Sequence, residues 1–592
     1  MKKHIRKITA PALCAVLIFS LTACSPLDAL YGGIFEKLFS GISGVSGYVS
    51  EESGETTQEA ESGSYDEEDE EYTYTIPDYT GFDETELAAL CKELSGLASG
   101  EDFDDIAACF EELSDEFDLL YDQELLAYLE YCKDAANTDL YEDYNELYLM
   151  AAEYSDEAYM AMKEVLEGPC ADEFAEYIGE EAAEELEEYE ELTDQELEWA
   201  ELENDLVAEY NAAYEEFEAS GSSDYEAFNE TAGPIYLELV ALRTEMARYY
   251  GYDDYAQYAD EEIYGRDIST EEAEVFHEVI KTISSTYYDL LYGTYAYFGL
   301  YYADISYTAD SLLSVAYSYG NEISPYITRA LDLMIELGLC DIDEDEARIN
   351  GSFSTTFSCG APTLFINMNG WSDFQTLTHE LGHCVNSYLT ADNGNVLLSS
   401  SGCYDILEIH SNGLEALFTN YYDEIFGTYY YGYAYSYTLM ELMLNVVDGS
   451  IYDEFQRTIY ENPDMTLDEI NDLFESICEE YGDPYASENK YSWALIPHNF
   501  ESPMYYLSYG LSGLAALEIW SLSTEDYDAA VDVWEEIVSA DAADTEYLDL
   551  LDQAGLSSFL DDGVAAEVCT KALDTAYSMS SANSGISFYY SD

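Results

Sequence analysis

The chain has 592 residues, 48% of them hydrophobic, which is ample for a large buried core and too much for one small domain. It carries 127 Asp and Glu against 17 Lys and Arg, a formal charge of −110. No basic footprint exists to neutralise phosphates, so nucleic-acid binding is excluded, and the acid runs read as a solvated, self-repelling surface.

Lys2, Lys3, Arg6 and Lys7 open the chain, an apolar stretch runs from Pro11 to Leu21, and Leu21-Thr22-Ala23-Cys24 ends it. Residues 1–24 therefore read as a secretory signal rather than a spanning helix. The last four residues resemble a bacterial lipobox, which implies an acyl anchor on Cys24 and a protein held on the extracytoplasmic face of a bacterial cell membrane. No later stretch is long and apolar enough to span a bilayer. Residues 25–80 are dominated by Gly, Ser and acids, with no Lys or Arg from Glu51 to Glu71, and read as an acidic disordered tether. Of twelve cysteines, Cys14 and Cys24 lie in the signal. The other ten are scattered without a Cys-x-x-Cys pair, so structural thiols are expected, with room for one or two disulfides.

Residues 81–265 form an N-terminal helical lobe, because Leu and Tyr recur there at spacings of three and four and proline is nearly absent. Thr193/Glu196 and Ser269/Glu272 have the spacing of capping boxes. The second lobe covers residues 266–592. Within it, Asn350 to Asn369 alternates apolar with Ser, Thr and Gly, which predicts a small sheet. Its Leu364–Asn369 strand is expected to present an open edge to an extended peptide. Helices resume at about Asp373, with Ser372 and Gln375 as a capping box. The tyrosine-rich run from Tyr421 to Tyr437 reads as helix core and channel wall.

The chemistry concentrates in His379-Glu380-Leu381-Gly382-His383. Residues four apart share a helix face, so His379 and His383 are placed to bind one zinc ion. Glu380, one step round, is placed to act on a metal-bound water as general base. A class of zinc proteases puts its third ligand, a His, six residues after the second motif His, preceded by a Gly at three; here those positions are Leu389 and Asn386. The third ligand must then come from a second helix, and Glu408, 25 residues beyond His383 in the segment Asp405 to Glu415, fits. Glu415 lies seven residues later on the same face, where it can orient a ligand histidine. His410, two residues from Glu408, points elsewhere and reads as a helix or pocket-rim histidine.

His-Glu-x-Gly-His followed by this Glu pair resembles the zinc oligopeptidases of the thimet oligopeptidase and oligoendopeptidase F group. Phe365-Ile-Asn-Met-Asn-Gly370 resembles the segment before the motif in the oligoendopeptidase branch. Arg243, Arg248-Tyr-Tyr-Gly251-Tyr252 and Tyr255 resemble that family's "GY" helix, and Ile496-Pro497-His498 with Pro503 to Tyr509 its His-and-tyrosine loop. The resemblance implies a mostly α, two-lobed metallopeptidase with a small β-sheet beside the zinc site and a deep substrate channel. It implies one zinc ion per chain held by His379, His383 and Glu408, with Glu380 catalytic. It implies His498, Tyr506 and Tyr509 as oxyanion donors, and hydrolysis of short unstructured oligopeptides outside the cell. The alternative is a non-catalytic peptide-binding lipoprotein on a peptidase fold.

Overall fold

A computed structural model of the chain describes residues 74–584, apart from 136, 190–192, 295–305, 346, 350, 371, 391–395, 399–401, 543–544 and 562. The expected signal with its lipobox-like end and the expected tether as far as residue 73 lie outside the described residues.

The chain is mostly helical. The first part comprises α1 (Thr85–Leu97), α2 (Phe103–Lys133), α3 (Thr138–Leu166), α4 (Asp194–Ser220) and α5 (Tyr225–Tyr250). Then come α6 (Thr270–Thr294), α7 (Ala309–Ile323) and α8 (Pro325–Leu337). A sheet of β1 (Cys340–Asp343), β2 (Ser352–Thr356) and β3 (Pro362–Asn367) interrupts the helices. After it follow α9 (Asp373–Thr390), α10 (Tyr404–Phe418), α11 (Gly427–Glu461), α12 (Leu467–Glu480), α13 (Tyr506–Ser523), α14 (Tyr527–Val538) and α15 (Val564–Ser584). Among the described residues, no helix is long and apolar enough to cross a membrane, and the cysteines form no disulfide.

Local chemistry accounts for several helix starts. Glu196 Oε2 accepts from Thr193 N and Oγ1, each at 2.7 Å, while Glu196 N donates back to Thr193 Oγ1 at 3.3 Å. Ser269 and Glu272 make the same reciprocal pair at the head of α6. The box expected at Ser372 and Gln375 does not form. Instead the Asp373 carboxylate folds back and accepts from Asn369 N at 2.8 Å and Gly370 N at 3.0 Å. A charged acceptor at the first helical position satisfies the turn better than the neutral hydroxyl one residue earlier. The Gln375 amide is left buried without a hydrogen-bond partner.

The strand order is β1-β3-β2, with β1 parallel and β2 antiparallel to β3. This corrects the expected open edge: β3, which contains Leu364 to Asn367, is the central strand, hydrogen-bonded on both sides. The sequence reading missed β1, because four residues, Cys-Asp-Ile-Asp, carry too little pattern to announce a strand. Pro362 to Ile366 of β3 are buried, as a central strand covered on both faces must be.

Apolar side chains of α1 to α3, with those from Cys170 to Tyr189, gather in one cluster. Most of those from Trp199 onward, including α4 and α5, join a second and larger cluster with Leu364 and Ile366 of β3 and with α9 to α15, while Phe353 and Phe365 of the sheet pack with Tyr128 and Cys132 of α2. Here α9 packs on β2, β3 and α10, α10 packs on α13, and α13 on α11. Glycines permit the tightest of these contacts. A Cβ on Gly382 of α9 would sit 2.3 Å from the His410 carbonyl oxygen and 2.6 Å from Ser411 Cα of α10. Phe374, Leu377, Leu381 and Val385 fill the rest of the buried face of α9, as their helical spacing predicts.

Candidate metal centre

His379 and His383 project from successive turns of α9, and Glu408 reaches them from α10. Among the described residues, this is the one group of three His, Cys, Asp or Glu whose ligand atoms all lie within 4.8 Å of one another. Glu408 Oε2 is 3.4 Å from His379 Nε2 and 3.7 Å from His383 Nε2. Ligands of a tetrahedral zinc ion, each about 2.0–2.1 Å from the metal, stand about 3.4 Å apart, so the spacing suits such an ion. His383 Nε2 is buried and has no hydrogen-bond partner, as a ligand nitrogen kept for a metal should be. The donor set of two imidazoles and one carboxylate is one zinc accepts, with a position left over for water or substrate.

The surroundings fix the ligands. His379 Nδ1 donates to Glu415 Oε1 at 2.8 Å, which sets the tautomer and turns the Nε2 lone pair towards Glu408. Ser411 Oγ donates to Glu408 Oε2 at 3.0 Å, and the Tyr505 hydroxyl to Oε1 at 3.3 Å. Burial pushes the Glu408 carboxyl up, but the hydrogen bond and charge of His379 outweigh it and hold the group at about 2. Burial lowers His383 to about 4, which keeps that imidazole neutral. Burial also opposes charge on His379, yet Glu408 and Glu415 win and raise it well above its usual value. Two carboxylates that hold a proton on His379 also favour a metal cation in its place.

Glu380 is 1% exposed, and its Oε2 accepts from Ser354 Oγ of β2 at 2.9 Å. Burial raises its carboxyl to about 7. A carboxylate in that range exchanges protons near neutrality, which is what a general base needs.

The third component comes from the segment entering α13. The His498 ring lies 5.9 Å from Tyr505, 5.5 Å from Tyr506 and 6.0 Å from Tyr509, centroid to centroid. Tyr506 and Tyr509 are 5.5 Å apart. Burial first, then the nearby Glu408, Tyr506 and Glu380, raise the Tyr509 hydroxyl well above its usual value, so it stays protonated and available as a donor. Burial lowers His498 to about 4 and leaves it neutral. The segment is pinned from several sides. Gln456 of α11 donates to Asn499 Oδ1 at 2.7 Å and accepts from Met504 N at 2.6 Å. Tyr264 OH donates to the Pro503 carbonyl at 2.9 Å, and the Arg243 guanidinium to that of Phe500. Met504 is held at φ 75°, a left-handed conformation a non-glycine residue adopts only when its surroundings impose it.

The structure thus brings His379, Glu380, His383, Glu408 and Glu415 together, with His498, Tyr506 and Tyr509 as a cluster beside them. Sequence reasoning missed Ser354, Ser411 and Tyr505. Nothing distinguishes Tyr505 among 60 tyrosines except its place before Tyr506, and Ser354 acts from a distant strand. His410 is not at a rim. It is fully buried, with its ring 6.4 Å from that of His383, because α10 packs on α9 and α14 at that point.

The sequence profile of Peptidase family M3 matches residues 326–539, the stretch that holds every residue of this centre except those of Arg243 and Tyr264. An oligoendopeptidase F homolog of Lactococcus lactis subsp. lactis (strain IL1403) is 25% identical over 238 residues, 36% of this chain and 39% of that protein. The chain therefore matches well under half the length of this curated relative. Among solved structures, PZ peptidase A with inhibitor 2 superposes with a TM-score of 0.67 at 20% identity, covering 86% of this chain and 99% of that one. A putative oligoendopeptidase F from Bacillus anthracis str. Ames gives a TM-score of 0.64 at 20% identity, with 86% and 98% covered. The chain has the helical fold of these peptidases.

Proposed function

We propose that the protein is a zinc metalloendopeptidase that hydrolyses peptide bonds in short unstructured oligopeptides. The observation that carries this reading is the convergence of His379 Nε2 and His383 Nε2 on Glu408 Oε2, with the buried Glu380 beside them. The fold shared with PZ peptidase A and oligoendopeptidase F structures supports it.

His379, His383 and Glu408 hold the zinc ion. When bound there, zinc acidifies a water and polarises a carbonyl, the two activations that amide hydrolysis requires. Glu380 takes the proton of the attacking water on its carboxylate and returns it to the nitrogen of the departing amine. Ser354 holds one Glu380 oxygen, which leaves the other for that proton. Tyr509, with Tyr506 and His498, donates hydrogen bonds to the oxygen that gains negative charge as water adds. A neutral His498 and a protonated Tyr509 suit this role, because donors already oriented in a buried site need no reorganisation.

The test combines metal analysis, cleavage of quenched short peptides against casein, and Glu380→Gln. One zinc per chain, cleavage of the short peptides, and a kcat about 10²–10⁴ lower in the variant at unchanged zinc content are expected. A zinc-loaded Glu380→Gln protein as fast as wild type removes Glu380 as the base. A protein that binds peptides without zinc or cleavage is the non-catalytic peptide-binding lipoprotein instead. We further propose that Cys24 is lipidated and holds the enzyme on the extracytoplasmic face of the membrane, on the strength of Leu21-Thr22-Ala23-Cys24. Membrane fractionation of Cys24→Ser checks this: a variant that still sediments with the membrane refutes the anchor.

A further inference from the structure

Glu408 and the site tyrosines belong to different helices, α10 and α13, and buried charge fixes one helix against the other. Asp405 lies one turn before Glu408 and is fully buried. Its Oδ1 accepts from Ser508 Oγ at 2.6 Å and from Arg266 Nε at 3.0 Å. Arg266 Nη2 donates to the same Ser508 hydroxyl at 2.8 Å, which closes a triangle. Ser508 is the neighbour of Tyr509, and Ser512 Oγ adds a second tie, to the Asp405 carbonyl, at 2.7 Å.

The triangle is anchored from outside both helices. Arg266 Nη1 donates to Asp260 Oδ1 at 2.6 Å. Asp260, in the π-helical turn Ala259–Ile263, also accepts from Arg457 Nη1 at 2.6 Å and Nη2 at 3.1 Å. Arg457 Nε donates to Asp453 Oδ2 at 2.8 Å, and His277 Nε2 lies 2.8 Å from that oxygen. Such a cluster is a poor source of stability, since taking several charges out of water offsets most of their attraction, and apolar packing does as well. Its particular property is direction. A guanidinium presents its donors in one rigid plane, and here three of them meet Asp405, Ser508 and Asp260, each on a different element.

We propose that the Arg266–Asp405–Ser508 triangle is a positioning device that sets α10, with Glu408, against α13, with Tyr506 and Tyr509, so that the metal ligand and the oxyanion donors keep one register. Its kinetic consequence rests on the peptidase reading, and its consequence for the metal rests only on His379, His383 and Glu408 holding an ion.

The experiment compares full-length wild type, Ser508→Ala and Arg266→Lys. Ser508→Ala removes a hydroxyl but no charge, and Arg266→Lys keeps the charge but loses the fork. For each folded, metal-loaded protein, kcat and KM on a short quenched peptide, zinc affinity against a chelator and the visible spectrum of the cobalt(II)-substituted form are measured. A kcat at least about 10-fold lower with KM nearly unchanged, zinc affinity about 10-fold weaker and a shifted cobalt spectrum are expected. Should Arg266→Lys fail to fold, Ser508→Ala decides. Ser508→Ala with wild-type kcat and an unchanged cobalt spectrum overturns the proposal, whatever its melting temperature. If wild type itself cleaves nothing, the peptidase reading fails, and the spectrum and zinc affinity still decide the positioning role.

Discussion

Single buried carboxylates in this protein are driven in opposite directions by what faces them. Glu408 meets His379 and stays ionised, whereas Asp448 of α11 meets Asp483 in a small cavity lined also by Tyr288 and Ser492. Burial first, and the charge of Asp483 second, push Asp448 up to about 8. Because the folded value lies above the unfolded value near 4, the folded state binds the extra proton between those limits. Stability should therefore fall as pH rises from about 4 to about 8 and change little from this group outside that window. Asp448→Asn should stabilise the protein at pH 8 by roughly 2–5 kcal/mol and hardly at all at pH 4. Urea unfolding of both proteins across this range is the check, and a gap that does not widen with pH contradicts the assignment. The grouping of His379, His383 and Glu408 was legible in the sequence because two of them sit on one helix at a spacing that puts them on one face. Ser354, Ser411 and Tyr505 were not, since a lone hydroxyl has no sequence pattern and finds its carboxylate only after folding.

At the scale of elements, the site depends on how closely helices approach. Gly382 lies between two motif residues, Leu381 and His383, yet its role is in packing: the α10 backbone occupies the space a side chain would need. Gly449 of α11 does the same for α13, where an added Cβ would stand 2.6 Å from Gly510 Cα. Gly382→Ala should destabilise the protein by about 1–3 kcal/mol, because backbone atoms cannot swing aside as a flexible side chain can. The strain falls between the helices that carry His379, His383 and Glu408, so the affinity for a zinc ion bound there should fall as well. Calorimetry with and without zinc measures both effects, and an alanine variant as stable and as zinc-avid as wild type would mean that α9 and α10 can slide apart freely. The sheet shows the converse limit. Alternation predicted strands between Asn350 and Asn369, but which strand lies in the middle depends on β1, whose four residues announce nothing by themselves.

Over the whole molecule, the dominant quantity is the charge of −110. Arg243, Arg266 and Arg457 are buried in ion pairs, so few cations are left to relieve the acidic surface. Like charges repel over about 8–10 Å at moderate salt and much farther when salt is scarce. The folded state concentrates them more than the unfolded chain does. The melting temperature should accordingly rise between about 20 and about 300 mM sodium chloride. A flat or falling curve in differential scanning calorimetry would show that the acids are spread widely enough not to oppose folding.

The sequence by itself determined the helical class and the two reciprocal capping boxes, and it singled out His379, His383 and Glu408, which the fold brings together, because each follows from short-range periodicity or from residue types with few uses. Tertiary structure alone decided that the Asp373 carboxylate turns back to the amides of Asn369 and Gly370 and that no Ser372–Gln375 box forms, that β3 is central, and that His410 is buried. It alone joined Arg266 to Asp405 and Ser508, residues 139 and 242 positions away along the chain. Contacts at such separation are chosen by the packing of whole elements, and no local pattern encodes which of several buried acids a given arginine will meet.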